Sequence, residues 1–550
     1  MTLLYFKAIV LSIAFFYAFS VPVSALENSD LPSKCGTFSA NAIARMKALR
    51  KGEKVLEERP SMPFTHTSPS GKFLIHYTNS GKDSVPQGDV DQNGIPDWVD
   101  STGIYIDYVH KIEVEDIKFL SPPTDGTKGG TIQYDIYIMD LSKEGIYGQT
   151  VADGNVTGGI FLRSFSFIRI DNNFSPADVN NSKPVFNTYG YEALKVTLAH
   201  EYHHAIQYGY GASTGSFHEM MSTWMEYRVY PDINDYLVYV NNFFTKNDKY
   251  FFGQSDAEKG YSYCLVLEYC HELYGDEFIR RVWDLVGFGV DPVNPIKGLE
   301  PYRALDSVFV ERGSSLTQAW RGILPWMYYT GQRTIPGSYF KKADIFPEFT
   351  FTTQELYSPP SFTHTQQIKP YQIHFSRCIL PADIQTNTPD SADFLVTYPN
   401  LVDIIQQSQR PGEYTVVCSE EVQPKQIMGT RYWYDVTSTN PEMWYELIVR
   451  NGIATTLCED LFPNPFHLSH DEFIYIPAPP DARVSDAPYL SIYTVDWKPI
   501  FSGVMTISAG AGNKRVIAWK PNVSELTSNV YVYTVVSHGK TTVGKFSVVQ

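Results

Sequence analysis

Residues 197–208 read TLAHEYHHAIQY, in which His200, Glu201 and His204 form H-E-x-x-H. On a helix, side chains four apart lie on one face, so both imidazoles can hold one divalent cation. Two neutral imidazoles and a carboxylate are a donor set that suits Zn2+. Glu201 lies beside those ligands and can take a proton from a water whose pKa the ion lowers to ~7. His203 is turned away from the His200 direction more than His204 is, and is expected to pack or hydrogen-bond elsewhere. A catalytic zinc needs a third protein ligand. Residues 216–231 read SFHEMMSTWMEYRVYP, where Glu219 and Glu226 are seven apart and share a helix face. Only one of them need bind the ion, and His218 is an outside candidate.

A second cation site is written in DVDQNGIPDWVD. Asp89, Asp91, Asn93, Asp97 and Asp100 place oxygen side chains at loop positions 1, 3, 5, 9 and 12, with Gly94 at position 6. That is the EF-hand type of Ca2+ spacing, in which alternate positions wrap around one hard cation and Ile95 offers its carbonyl. The expected role is structural, tying the strand that ends at Tyr77 to the helix that follows.

The elements that carry these residues are mixed. KFLIHY (72–77) is a short strand, residues 98–117 show helical spacing, and 132–139 and 159–170 are expected strands. Residues 191–208 form the helix of the two histidines. The Gly-rich YGYGASTG turn then brings a second helix, starting near Phe217, alongside it. Residues 261–286 are helical again. Tyr261 and Tyr263 at its start can be oxyanion partners or core aromatics. Strand 167–171 can be an edge that pairs with an extended substrate, or internal. From Pro347 onward helical periodicity disappears and short strands alternate with Pro, Ser, Asn and Thr.

Composition limits the function classes. The chain has 550 residues, enough for three or four domains. A net charge of −16 argues against nucleic-acid binding, which needs a basic face. The first 25 residues have Lys7, an apolar run and an exit at Val23–Ala25, the pattern of a secretory signal peptide. No later stretch is long and apolar enough to span a membrane. Six cysteines, Cys35, Cys264, Cys270, Cys378, Cys418 and Cys458, are too sparse for a disulfide framework. Cys264 and Cys270 are expected to be buried or paired at a distance.

The E-x-x-S-x-W-x-E setting of Glu219 and Glu226 resembles the third-ligand helix of gluzincins. That likeness implies Glu219 as the zinc ligand and Glu226 as a carboxylate orienting a histidine. GKFLIHYTNSGKDSVP, DVDQNGIPDWVD, SPPTDG, QYDIYIMDL, LAHEYHHAIQYGY and HEMMSTWMEY together, in this order, resemble the myxobacterial-type family of secreted zinc metalloproteases. The resemblance spans about Lys34 to Trp326 and implies a gluzincin-like zincin core that hydrolyses peptide bonds. Met220 and Met221 stand where that family usually has small residues after the ligand. LFPNPF, LSIYTVDWKPIFSG, RVIAWKP, NVYVYTVV and GKFSVVQ resemble the C-terminal sorting domain of type IX exported proteins, an Ig-like sandwich. His467 and Asn529 depart from that pattern.

The expected fold is an α+β zincin-like metallopeptidase domain followed by all-β, Ig-like C-terminal modules. The divisions are a signal peptide (1–25), an N-terminal pro-like or packing segment (26–65) and a catalytic domain (66–345). A β-sandwich of open role (346–457) and a sorting-type domain (458–550) complete the chain. The expected partners are a peptide or protein substrate and the export machinery, met by a monomer outside the cell or at a bacterial surface. A catalytically inactive adhesion scaffold and a zinc hydrolase of a non-peptide cell-wall amide are the competing readings.

Overall fold

The computed structural model describes residues 34–51, 53, 59–156, 163–211, 215–289 and 298–351. It describes separate strands between 353 and 450, and residues 466–549 apart from 470, 480–485, 510–514 and 538–539. The signal-peptide segment and residues 461–465 of LFPNPF lie outside the described residues, as do the side chains of Cys378, Cys418 and Cys458.

Sequence runs that are apolar on both sides become the centre of the first sheet. Strand β2 (Phe73–Tyr77) is buried at every position and pairs in parallel with β3 (Tyr134–Ile138). Continuous apolar runs are what a strand covered on both faces requires. Strand β5 (Ser164–Ile170) follows in parallel. Strands β1 (Phe64–Thr67) and β4 (Gly148–Asn155) close the two sides antiparallel, in the order β1-β2-β3-β5-β4. Residues 168–170 are therefore internal, paired with β3 on one side and β4 on the other. The edge is β4, whose sequence GQTVADGN lacks the alternation that marks a strand.

Helix α1 (Ala40–Arg50) lies over β4, capped by the Ser39 hydroxyl. Helix α2 (Asp97–His110) packs on β2 and runs into a wider π-type turn, Lys111–Asp116. Helix α3 (Gly190–Tyr210) carries His200 and His204 and packs on β4 and β5; α4 (Gly215–Val229) packs along α3. Then come α5 (Leu237–Thr245), α6 (Ala257–Gly260), α7 (Cys264–Tyr274) and α8 (Asp276–Phe288). The expected single helix 261–286 is broken. Tyr261–Tyr263 is a 3-10 turn, and Gly275, at φ 78°, separates α7 from α8. That left-handed conformation suits glycine and stops a helix. Helices α9 (Pro301–Glu311) and α10 (Leu316–Tyr328) complete the helical part.

The core between sheet and helices is strongly aromatic, with Trp224, Trp283 and Trp320 buried. It continues past residue 345, because Phe349, Tyr371, Ile373 and Phe375 pack into it. Trp320 Nε1 donates to Thr397 Oγ1 at 2.8 Å. Beyond lie β-sheets: a four-stranded and a three-stranded sheet between 353 and 450, then a five-stranded and a three-stranded sheet from 466 onward. The last two enclose a core of their own around Phe466, Ile492, Trp519 and Val535. The chain is thus mixed α/β first and β-sheet after, and among the described residues no helix is long and apolar enough to cross a membrane.

Candidate metal centre

Close approach of α3 to the edge strand sets the site. A Cβ on Gly148 would meet Thr197 Cγ2 at 2.8 Å and Glu201 Cγ at 2.9 Å, so any larger residue would push the helix off the sheet. With glycine there, Thr150 Oγ1 reaches both the backbone carbonyl and Oε2 of Glu201, each at 2.7 Å. The carboxylate of Glu201 is thereby held against β4, beside the two histidines.

His200 and His204 turn their Nε2 atoms toward each other, 3.1 Å apart. Glu219 Oε2, from α4, lies 3.0 Å from His200 Nε2 and 3.3 Å from His204 Nε2. Two ligands about 2.05 Å from a tetrahedral ion are about 3.3 Å apart, so the spacing fits one small cation. The outer nitrogens are engaged too. His200 Nδ1 is 2.7 Å from Glu226 Oε1, and His204 Nδ1 is 2.7 Å from Gln207 Oε1 and 3.1 Å from Ser222 Oγ. An N–H donated to those oxygens leaves each Nε2 lone pair pointing inward, the arrangement that orients metal-binding histidines. All these groups are buried.

Electrostatics agree. Burial holds both His200 and His204 below the usual imidazole range, in the neutral form a ligand needs. Burial also raises the Glu219 carboxyl, opposed by His200. Glu226 is pushed up to about 8 by burial, against the pull of Lys34. Inward-facing lone pairs and a buried carboxyl group are a set that could hold a cation between them.

The fourth member of the cluster is Cys35. Its sulfur and one ligand atom each of His200, His204 and Glu219 all lie within 4.8 Å of one another. Burial first, then Glu201 and Glu219, push the Cys35 thiol well up. Sequence reasoning missed this residue, which sits in KCGTF, a polar stretch far upstream of the histidine helix. Its neighbours are also built in. Lys34 Nζ is buried in ion pairs with Glu226 and Asp235, 5.2 Å above the Tyr147 ring. Thr37 Oγ1 donates to Glu201 Oε2 at 3.2 Å.

The other named residues separate cleanly. His203 points away, its Nδ1 2.9 Å from Glu113 Oε2 and its ring against Phe119 and Trp283. His218 packs against Phe38 and Trp283. Tyr261 lies near the site, its ring 5.9 Å from that of His200. Tyr263 sits in the core against Phe243 and Phe252. Cys264 and Cys270 are buried thiols of α7.

Residues 187–304, which span α3, α4 and their surroundings, match a family of unknown function (DUF6055). No curated protein and no solved structure matches the chain.

In the aspartate-rich loop, Asp89, Asp91 and Asp97 bring one carboxylate oxygen each within 4.8 Å of one another. Asn93 and Asp100 are occupied otherwise. The Asn93 amide donates to Asp91 Oδ2 and Asp100 Oδ2, its Oδ1 accepts from Ile95 N, and Asp100 Oδ1 lies 3.2 Å from His66 Nε2. The loop is largely exposed.

Proposed function

We propose that the chain is a zinc-dependent hydrolase of gluzincin-like type, acting on peptide bonds outside the cell. The carrying observation is the convergence of His200 Nε2, His204 Nε2 and Glu219 Oε2 at tetrahedral-edge separations, with Glu201 on the same helix. His200, His204 and Glu219 would hold Zn2+, which when bound supplies electrophilic activation of a carbonyl and of a water. Glu226, Gln207 and Ser222 keep the two imidazoles aimed. Glu201, anchored by Thr150, is the proton carrier: it takes a proton from the attacking water and gives it to the leaving amine. Tyr261 is the nearer of the two tyrosines and the better partner for a developing oxyanion. The edge of β4 is the place for an extended substrate to add as a strand. The Asp89–Asp97 cluster would take structural Ca2+, and the last β-sheets would be the sorting-type, Ig-like address for export to the cell surface or beyond.

One observation favours a second reading. Cys35 completes a four-donor set, and structural zinc sites are closed in that way whereas catalytic sites keep one position open. On that reading the protein is an inactive scaffold that binds rather than cleaves. The two are separated with Cys35→Ser and Cys35→Ser/Glu201→Gln chains, assayed for zinc content and for cleavage of a mixed peptide library. Hydrolysis by the first and not the second, with one zinc in each, supports the hydrolase. Equal cleavage by both, or none by either, contradicts it.

A further inference from the structure

We infer that residues 34–37 form an internal inhibitory strand whose Cys35 thiolate takes the fourth position on the ion, leaving the enzyme latent until the segment is displaced. This rests on the hydrolase reading and adds its regulation.

Three sets of contacts carry it, each on a different part of the catalytic apparatus. First, Cys35 Sγ lies within 4.8 Å of a ligand atom of each of His200, His204 and Glu219, in the place of a fourth donor. As sulfur bonds to the ion, its S–H proton leaves to solvent and no redox partner is needed. Second, the backbone adds to β4 as a short parallel strand. Cys35 bridges Gly148, Tyr147 N donates to the Lys34 carbonyl at 2.9 Å, and Gly36 N donates to the Gly148 carbonyl at 3.0 Å. These are the β4 groups an extended substrate would otherwise pair with. Third, Thr37 engages Glu201, the proton carrier, and also accepts from Thr150 N at 2.9 Å. Lys34 locks the segment from the far side through Glu226 and Asp235. One tetrapeptide therefore covers the ion, the substrate edge and the base.

The apolar anchoring of the segment is small. Among the described residues, no α1 side chain belongs to the hydrophobic core, and Cys35 lies in a small satellite cluster with Tyr239 and Tyr261. A cavity of about 250 Å³ lined by Arg45, Gln149, Thr150 and Tyr208 lies between α1 and β4, which Arg45 Nε bridges by donating to the Ala152 carbonyl at 2.8 Å. Withdrawal would uncover the metal site and β4 and would take Lys34 from Glu226 and Asp235, so it needs cleavage or a partner to drive it.

The test loads the full chain with Co2+ in place of zinc and reads the spectrum. Wild type is expected to bind one cobalt, show a near-ultraviolet thiolate-to-cobalt band, and ignore acetohydroxamate. Cys35→Ser should keep one cobalt, lose the band, shift its visible spectrum with acetohydroxamate, and cleave peptides at least about 100-fold faster than wild type. Cobalt bound to wild type without the thiolate band overturns the proposal, whatever the variant does. Loss of cobalt by Cys35→Ser, folded or not by circular dichroism, makes Cys35 a permanent structural ligand and also overturns it. If the variant keeps cobalt and binds acetohydroxamate yet cleaves nothing, the inhibitory strand stands and the peptidase reading falls.

Discussion

At the buried cluster each imidazole is aimed from behind: Glu226 backs His200, and Gln207 and Ser222 back His204. In the Asp89–Asp100 loop the carboxylates are instead spent on the loop itself. Val90 N donates to both Asp97 oxygens, and Asn93 N and Gly94 N donate to Asp89. Solvent reaches the loop and screens its charge, while nothing screens His200, His204 and Glu219 when no cation is present. On the proposed reading the first site is a preorganised cage whose stability would depend on its ion, and the second a turn that would stand without one and gain modestly from it.

The largest expected effect follows from emptying the cage. With free zinc 1,000-fold above its Kd, linkage is worth about 4 kcal/mol. A picolinate-type chelator should therefore lower the thermal midpoint of the helical part by about 10 °C, read by circular dichroism and restored by zinc. Leaving calcium out of a buffer of fixed free zinc should do far less. Equal shifts from the two removals would erase the contrast between the sites.

Next in size, Glu226→Gln loosens His200 while leaving every direct ligand in place. Zinc affinity should fall about 10–100-fold in a competition titration, with no change in calcium response. An unchanged zinc affinity would mean that His200 needs no backing carboxylate.

Gly148→Ala sharpens the role of the helix–strand contact. A methyl group 2.8–2.9 Å from Thr197 and Glu201 cannot be accommodated without a shift. Urea unfolding should show about 1–3 kcal/mol lost, together with weaker hydrolysis in the Cys35→Ser background. No loss in either measurement would remove the contact as the device that places Glu201.

The smallest effect belongs to the loop. Calcium at ten times its Kd should add about 1.4 kcal/mol, and Asp91→Asn should abolish that gain in a thermal titration. A rise in Asp91→Asn equal to that of wild type would place calcium elsewhere.

How much of this was legible in the sequence follows from how local each signal is. His200, Glu201 and His204 lie within one helical turn, so their spacing alone placed them. Glu219 needed only the next helix and the Gly-rich turn between. The strand at 72–77 was legible as a short, largely apolar run, and that at 132–139 by its alternation. By contrast, β4 is defined by what covers it: α3 on one face and residues 34–37 along its edge. Its Gly- and Asp-containing sequence carries no periodic signal. The break at Gly275 was hidden because α7 and α8 have apolar faces that read as one helix. Cys35 was invisible for the strongest reason. Nothing in KCGTF names its partners, and only the tertiary fold brings it to the histidines. The usable signal was a cysteine between Lys34 and Gly36 in a polar, pro-like segment ahead of the catalytic region.

The central claim is that one ion sits between His200, His204 and Glu219. Diffraction data collected on either side of the zinc absorption edge, from crystals of the full chain, test it most directly. The account predicts a single strong anomalous peak, present above the edge and absent below it, about 2 Å from His200 Nε2, His204 Nε2 and Glu219 Oε2. Zinc-replete crystals with no peak there, or with the peak on other residues, would contradict it.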